Sequence, residues 1–202
     1  VYKNPERGAA LREESVLDGN DPYSNSKSCS ELVTGAYVRA FFAEKGVPVS
    51  TCRAGNAIGG GDFSPDRILP DCVRAAAAGE AIRVRNPHSV RPYQHVLEPT
   101  FAYLTIAMRQ HAQPDLAGCY NIGPKAEGCI STGELAELFC AAWGGGARWE
   151  NAPSRGAPRE EDFLTIDSTK AERVFGWRPR WNVAAAVQKT VEWSKAWLSG
   201  GD

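Results

Sequence analysis

Tyr23 and Lys27 stand four residues apart in the run Asp21-Pro22-Tyr23-Ser24-Asn25-Ser26-Lys27, and together they can do acid–base chemistry that neither does alone. A phenol with its ordinary pKa of about 10 keeps its proton at neutral pH, whereas a fixed ammonium nearby favours the phenolate. A phenolate stabilised in this way can take the proton of an alcohol whose hydride leaves to a nicotinamide. The chemistry needs both groups on one face of a helix, and the local signals for a helix are present. Pro22 suits the first helical position, where a missing N–H costs nothing, and Asp21 can cap the free amides from outside. One turn then brings positions 23 and 27 together. A packed tyrosine next to a solvated lysine has the same spacing, so the surroundings have to carry the case.

The helix predicted over residues 22–45 ends where Gly46 can take the left-handed cap and Pro48 blocks continuation. Leu32, Ala36 and Ala40 lie beside a second stripe, Val33, Tyr37 and Phe41, which predicts that this helix packs on a sheet. A strand follows over 47–54. Short extended runs at 82–85, 93–96, 119–122 and 164–166 alternate with helical ones at 69–78, 100–110, 133–143 and 183–198. Ser131 with Glu134 forms a capping box for the third of these helices. Alternating strands and helices predict an α/β protein. The glycines at 144–146 read as a turn, and residues 1–20 as a polar loop flanking the Tyr–Lys helix.

Composition bounds the function. A net charge of -1 on 202 residues offers no global attraction to nucleic acid or anionic lipid. No apolar run approaches the roughly 18 residues that a membrane span needs. Neither nucleic acid nor membrane is expected as a partner. The six cysteines (Cys29, Cys52, Cys72, Cys119, Cys129 and Cys140) include no C-x-x-C pair and sit in apolar patterns, which predicts buried free thiols. With three histidines, this argues against a metal site and for a cytoplasmic protein. Trp177, Trp181, Trp193 and Trp197 cluster near the C-terminus, with a spacing that favours core or subunit contact over stacking on a base. Glu160, Glu161 and Asp162 read as a solvated acidic loop.

Several further residues could meet a polar ligand. Asn56 follows a strand end, where its amide can donate to a sugar hydroxyl or a phosphate oxygen. The glycines at 59–61 could let backbone amides approach a diphosphate, although a triple glycine is a weak signal. Arg67, Arg83, Arg85 and Arg91 offer four guanidiniums whose forks match phosphate oxygens. Arg67 and Arg83 read equally well as solvated charges. His95 is read as a packing or hydrogen-bonding residue and given no catalytic role.

The segment Asp21 to Thr34, DPYSNSKSCSELVT, resembles the active-site helix of the extended short-chain dehydrogenase/reductases that act on nucleotide sugars. Matches continue in order through RAGN at 53–56, GGGD at 59–62, RPYQHV at 91–96, YNIGP at 120–124, DSTKA at 167–171 and GWRP at 176–179. Within that family, GNAIGGGDFSPDRILPD and RNPHSVRPYQHVLEP are most similar to the members that dehydrate CDP-glucose. The resemblance implies the C-terminal part of a Rossmann-type parallel sheet with a smaller α/β substrate-binding lobe. Residues 1–60, with a returning stretch near 93–123, would be the remainder of the dinucleotide-binding domain, and 61–202 mainly the substrate lobe.

It also implies roles. Tyr23 would be the base for the sugar 4-hydroxyl. Lys27 would lower its pKa and hydrogen-bond the nicotinamide ribose, while Ala54 would contact the nicotinamide through its backbone. Asn56, Arg67, Arg85 and Arg91 would hold the CDP-sugar, Arg91 most directly. No side chain accepts hydride, so NAD is implied as cofactor. The reaction would oxidise C4, eliminate water across C5 and C6, and return the hydride to C6. A 4-epimerase would use the same tyrosine and lysine without the elimination, and a non-catalytic sugar-nucleotide-binding chain is a further alternative.

The 202 residues contain no G-x-x-G-x-x-G turn, and Val1-Tyr2 resembles the tail of the family's T-S-D-K-V-Y stretch. The expectation is therefore the C-terminal portion of a longer enzyme, inactive alone and a homodimer at full length. The acid and base of the elimination would lie upstream, and the sheet would have an uncovered edge.

Overall fold

A computed structural model describes residues 1–4, 10–153 and 163–200; the acidic run at 160–162 lies outside them. The chain forms two compact units, one of residues 1–55, 99–123 and 165–178, the other of 56–98, 124–164 and 179–202. This partition differs from the division expected from the sequence. Residues 56–60 and 93–98 go with the second unit and 165–178 with the first.

In the first unit, helix α1 (Pro22–Tyr37) starts as expected: the Asp21 side chain accepts from the Ser24 amide at 3.0 Å and a proline occupies the first turn. The helix does not run straight to residue 45. It loosens into a π turn at Val38–Phe42, and the chain then reverses at Gly46, whose φ is +62°. Strand β1 (Thr51–Ala54) pairs in parallel with β5 (Cys119–Ile122), in a register from Thr51–Cys119 to Ala54–Ile122. The strand expected over 47–54 is thus shortened to its second half. Pro48 lacks an N–H, and the Pro48 carbonyl and Ser50 hydroxyl bond the Gln110 side chain instead of a ladder. Helix α3 (Leu97–Ala112) and helix α5 (Thr169–Phe175) complete the unit. Its core is Ala102, Ile106, Tyr120, Ile122, Ala171, Phe175 and Trp177.

The apolar stripes of α1 do not pack on a sheet. Leu32, Val33, Tyr37 and Phe41 are all more than half exposed, and Ser28 is the buried residue of the helix. The helix turns a polar edge, Ser28 and Glu31, inward.

The second unit holds two small sheets. Strand β2 (Asn56–Ile58) lies parallel to β4 (Val90–His95), and β4 is antiparallel to β6 (Cys129–Ser131). Strand β3 (Ile82–Val84) pairs in parallel with β7 (Trp149–Asn151). The run at 164–166 forms no strand; only isolated bridges join Leu11 to Ile166 and Val90 to Phe163. Helices α2 (Ile68–Ala77), α4 (Thr132–Trp143) and α6 (Val183–Leu198) bury Leu69, Cys72, Leu135, Phe139, Val187 and Val191 against Ile82, Val84 and Tyr93. The capping box of α4 is formed: Ser131 Oγ accepts from the Glu134 amide at 3.2 Å and Glu134 Oε2 from the Ser131 amide at 2.7 Å. The glycines at 144–146 make a turn, all with positive φ, closed by Ala147 N–H to the Gly144 carbonyl.

The expectation for the cysteines is corrected. Cys72 is buried, but Cys29 is exposed because it lies on the outer face of α1, and the other four are intermediate. Trp177 is a core residue, whereas Trp193 and Trp197 are 42% and 49% exposed and stack on each other. Among the described residues, no helix is long and apolar enough to cross a membrane.

Candidate active site

The start of α1 is held by contacts that follow from its sequence. Asp21 caps the first turn, and the Ser28 hydroxyl, a turn further on, donates to the Val1 carbonyl and accepts from the Gly19 amide at 3.2 Å. Gly19 lies so close to the helix that a Cβ there would be 2.4 Å from the Ser24 carbonyl carbon. No other residue fits. Tyr23 and Lys27 project from the same side of this anchored turn, with Lys27 Nζ 5.4 Å from the centre of the Tyr23 ring. Both side chains are exposed, Tyr23 by 65%. The juxtaposition expected from the spacing is therefore present, and the pair is open to a ligand.

Behind the helix lies a buried polar network that the sequence reading did not single out. Glu31, one turn beyond Lys27, accepts from Arg53 Nη2 at 2.9 Å and from Thr51 Oγ1 at 2.8 Å. Arg53 Nη1 donates to the Tyr2 hydroxyl at 2.8 Å and to the Glu13 carbonyl at 3.0 Å. The Tyr2 hydroxyl donates in turn to Asn121 Oδ1 at 2.6 Å. Burial opposes the Arg53 charge, but the bonds to Glu31 and Tyr2 outweigh it and hold the guanidinium's pKa above its ordinary value. Burial likewise pushes the Glu31 carboxyl up, yet Arg53 and Thr51 hold it below the usual carboxylate range. The Tyr2 phenol is raised, chiefly by burial. The available signals were an arginine inside a strand and a glutamate on the Tyr–Lys stripe.

The remaining expected residues divide between the units. Ala54 ends β1 opposite Ile122 and is exposed, in the unit that carries Tyr23 and Lys27. Asn56, Arg67, Arg85 and Arg91 belong to the second unit. Asn56 opens β2 opposite Tyr93 and is exposed. Arg67 precedes α2 at its cap position. Arg85 is brought to the same turn by Asp66, whose carboxylate accepts from Arg85 Nη1 at 3.0 Å and whose φ of +61° is unusual for a residue with a side chain. Arg91 sits on β4 opposite Ile130 and donates to the Val90 carbonyl at 2.9 Å. Arg83 faces Glu150 at 3.9 Å in an exposed pair, the solvated reading. The glycine run serves packing: a Cβ on Gly60 would lie 2.1 Å from Trp193. His95 is structural, with Nδ1 accepting from the Leu97 amide at 3.2 Å and the ring edge-on to Trp181. Burial lowers its pKa.

The structure thus sets a tyrosine and a lysine one turn apart in an α/β arrangement with parallel strand pairs. The chain belongs to the family described as GDP-mannose 4,6 dehydratase, whose model matches residues 1–190. Over 207 residues it is 37% identical to the CDP-glucose 4,6-dehydratase of Salmonella typhimurium, covering 100% of this chain and 57% of that protein. It is 27% identical over 198 residues to a dTDP-glucose 4,6-dehydratase of Xanthomonas campestris pv. campestris, covering 90% of this chain and 52% of that one. The chain spans about half the length of the curated relatives it matches. Among solved structures, the fold is shared with a dTDP-glucose 4,6-dehydratase from Bacillus anthracis in complex with NAD (TM-score 0.79, 22% identity, 96% of this chain and 58% of that one). It is shared too with a UDP-glucuronic acid 4-epimerase from Bacillus cereus in complex with UDP-glucuronic acid and NAD (TM-score 0.81, 16% identity, 96% and 58%).

Proposed function

We propose that this chain serves in an NAD-dependent lyase that converts CDP-glucose to CDP-4-keto-6-deoxyglucose in deoxysugar biosynthesis. The observation that carries the reading is the Tyr23–Lys27 pair, set on one exposed face at 5.4 Å in a chain 37% identical to a CDP-glucose 4,6-dehydratase. The exposed pair and the open end of β1 at Ala54 fit the nicotinamide riboside end of a dinucleotide. Lys27 would bond the ribose and Ala54 would contact the ring through its backbone. Bound NAD supplies the acceptor for the C4 hydride and its later donor. Tyr23 takes the proton of the sugar 4-hydroxyl, and the Lys27 charge favours the resulting phenolate. With a carbonyl at C4, the C5 proton becomes removable, and water leaves across C5 and C6.

Asn56, Arg67, Arg85 and Arg91 are assigned to the CDP-sugar, the guanidiniums to its diphosphate. The first unit is assigned to the dinucleotide and the second to the sugar nucleotide. The exposed stripes of α1, with Leu32, Val33, Tyr37 and Phe41, support a homodimer, because apolar area of this kind is normally covered by a partner. Cytoplasmic residence is in keeping with six free cysteines.

The complete reading frame incubated with CDP-glucose and NAD should give a 4-keto-6-deoxy product that absorbs in strong base. Tyr23→Phe should abolish it. Turnover by the Phe variant near the parent's rate would remove Tyr23 from catalysis, and no product from the parent would overturn the substrate assignment.

A further inference from the structure

Within the described residues, helix α1 turns its apolar stripes outward, and its buried residue is Ser28. Two of its side chains tie it to the rest of the first unit by hydrogen bonds. Ser28 bonds the Val1 carbonyl and the Gly19 amide, and Glu31 bonds Arg53 and Thr51. Arg53 and Thr51 lie on β1, the strand that ends at Ala54, and a third donor to Glu31, Cys119 Sγ at 3.9 Å, lies on β5.

Tyr23, Lys27 and Glu31 follow one another at four-residue steps, each advancing about 40° around the axis and about 6 Å along it. Glu31 is the inward end of the stripe whose outward end carries the phenol. Arg53 is itself pinned, by the Tyr2 hydroxyl at 2.8 Å and the Glu13 carbonyl at 3.0 Å, with its guanidinium 5.0 Å above the Tyr2 ring. The side chains of the pair are 6% and 11% exposed. A charge pair so enclosed, with both Arg53 Nη groups and Glu31 Oε2 engaged and Arg53 Nε left without a partner, ties the helix to the strand at one place.

We propose that Glu31 and Arg53 are positioning residues for Tyr23 and Lys27. The buried pair fixes the roll and axial setting of α1 on β1, and thereby the place of the phenol relative to the strand end at Ala54. The inference rests on the catalytic reading of Tyr23 and Lys27 above. It predicts a loss in turnover and not in binding, because the groups that would hold the sugar nucleotide are on the other unit.

The test uses Glu31→Gln, Thr51→Val and Thr51→Ser in the full-length protein that carries this chain, with CDP-glucose and saturating NAD. Glu31→Gln should lower kcat about tenfold or more with KM within about twofold, since small misplacements of a reacting group carry losses of that order. Thr51→Val should lower kcat about threefold, and Thr51→Ser, which keeps the hydroxyl, should restore it. Circular dichroism and melting establish that each variant is folded at the assay temperature. A folded Glu31→Gln variant with the parent's kcat overturns the proposal. Should that variant fail to fold, Thr51→Val decides, and unchanged turnover overturns it equally.

Hydrogen–deuterium exchange over residues 22–31 separates this inference from the reading it rests on. Faster exchange in Thr51→Val than in the parent and in Thr51→Ser supports the anchoring even if the parent does not turn over CDP-glucose. Identical exchange in all three overturns it.

Discussion

Arg53 Nη2 meets Glu31 Oε2 at 2.9 Å, with 6% and 11% of the two side chains exposed, and the contact ties α1 to β1 across 22 residues of chain. Breaking such a pair leaves a buried charge without its partner, at a cost of about 3–5 kcal/mol, whereas replacing both by apolar groups of similar volume is often neutral. Glu31→Leu and Arg53→Met should therefore each destabilise the protein by roughly 3 kcal/mol. The double variant should cost clearly less than their sum. Urea unfolding followed by circular dichroism measures all three. Additive losses would mean that the pair is not coupled.

The same pair sets an acid limit. The folded state holds the Glu31 carboxyl below its ordinary value, with the Arg53 and Thr51 bonds outweighing the upward push of burial. A depressed acid contributes its stability above the unfolded-state pKa and loses it as pH falls through the folded one. The stability gap between the parent and Glu31→Gln should be constant through neutral pH and shrink below about pH 4, the ordinary range of a glutamate. Urea midpoints at pH 7 and pH 3 give the two gaps. A gap as large at pH 3 as at pH 7 would show that the carboxylate charge contributes nothing.

Helix ends were legible wherever a single residue type dictates local geometry. Asp21 and Pro22 start α1, Ser131 and Glu134 start α4, and Gly46 takes the positive φ expected of it. The last helix came out at Val183–Leu198 as read from its periodicity. Strand β3 alternates, with Ile82 and Val84 buried, whereas β2, β6 and β7, also three residues each, do not, and the π turn at Val38–Phe42 has no local sequence cause. In the site, Tyr23 and Lys27 could be paired because one helical turn relates them. Arg53 with Glu31, and Arg85 with Asp66 across 19 residues, depend on where strands and turns come to rest. No spacing encodes them. The apolar stripes of α1 misled because periodicity identifies a face without saying what covers it.

Thiol reactivity should separate the cysteines sharply. Cys29 is exposed on α1, while Cys72 is fully buried in the second unit and burial holds its thiol far above the usual range. Cys52 is pushed up to about 11, first by burial and then by Glu31 and Cys119. Because the thiolate is the reacting species, Cys29 should take up a maleimide first at pH 7.5 and Cys72 only on unfolding. Peptide mapping after brief labelling checks the order. Early modification of Cys72 would contradict the packing of α2.

Gly60 and Trp193 give the sharpest steric test. A Cβ on Gly60 would lie 2.1 Å from Trp193 Cδ2 and 2.3 Å from Cγ, a rigid indole and not the far end of a flexible chain. The indole is in turn parallel to Trp197, at 6.3 Å and 6°, and tilted on Phe63. Gly60→Ala must push the ring out of this stack, and overpacking of that kind costs about 1–3 kcal/mol. With Trp193→Ala already present the obstacle is gone, so the same glycine substitution should then cost little or stabilise. The second outcome follows because alanine has fewer unfolded conformations to lose. Thermal melts of the four proteins in this cycle measure the coupling, and tryptophan emission reports whether the ring has moved into water. An equal cost in both backgrounds would place the constraint on the backbone at Gly60 and not on the indole above it.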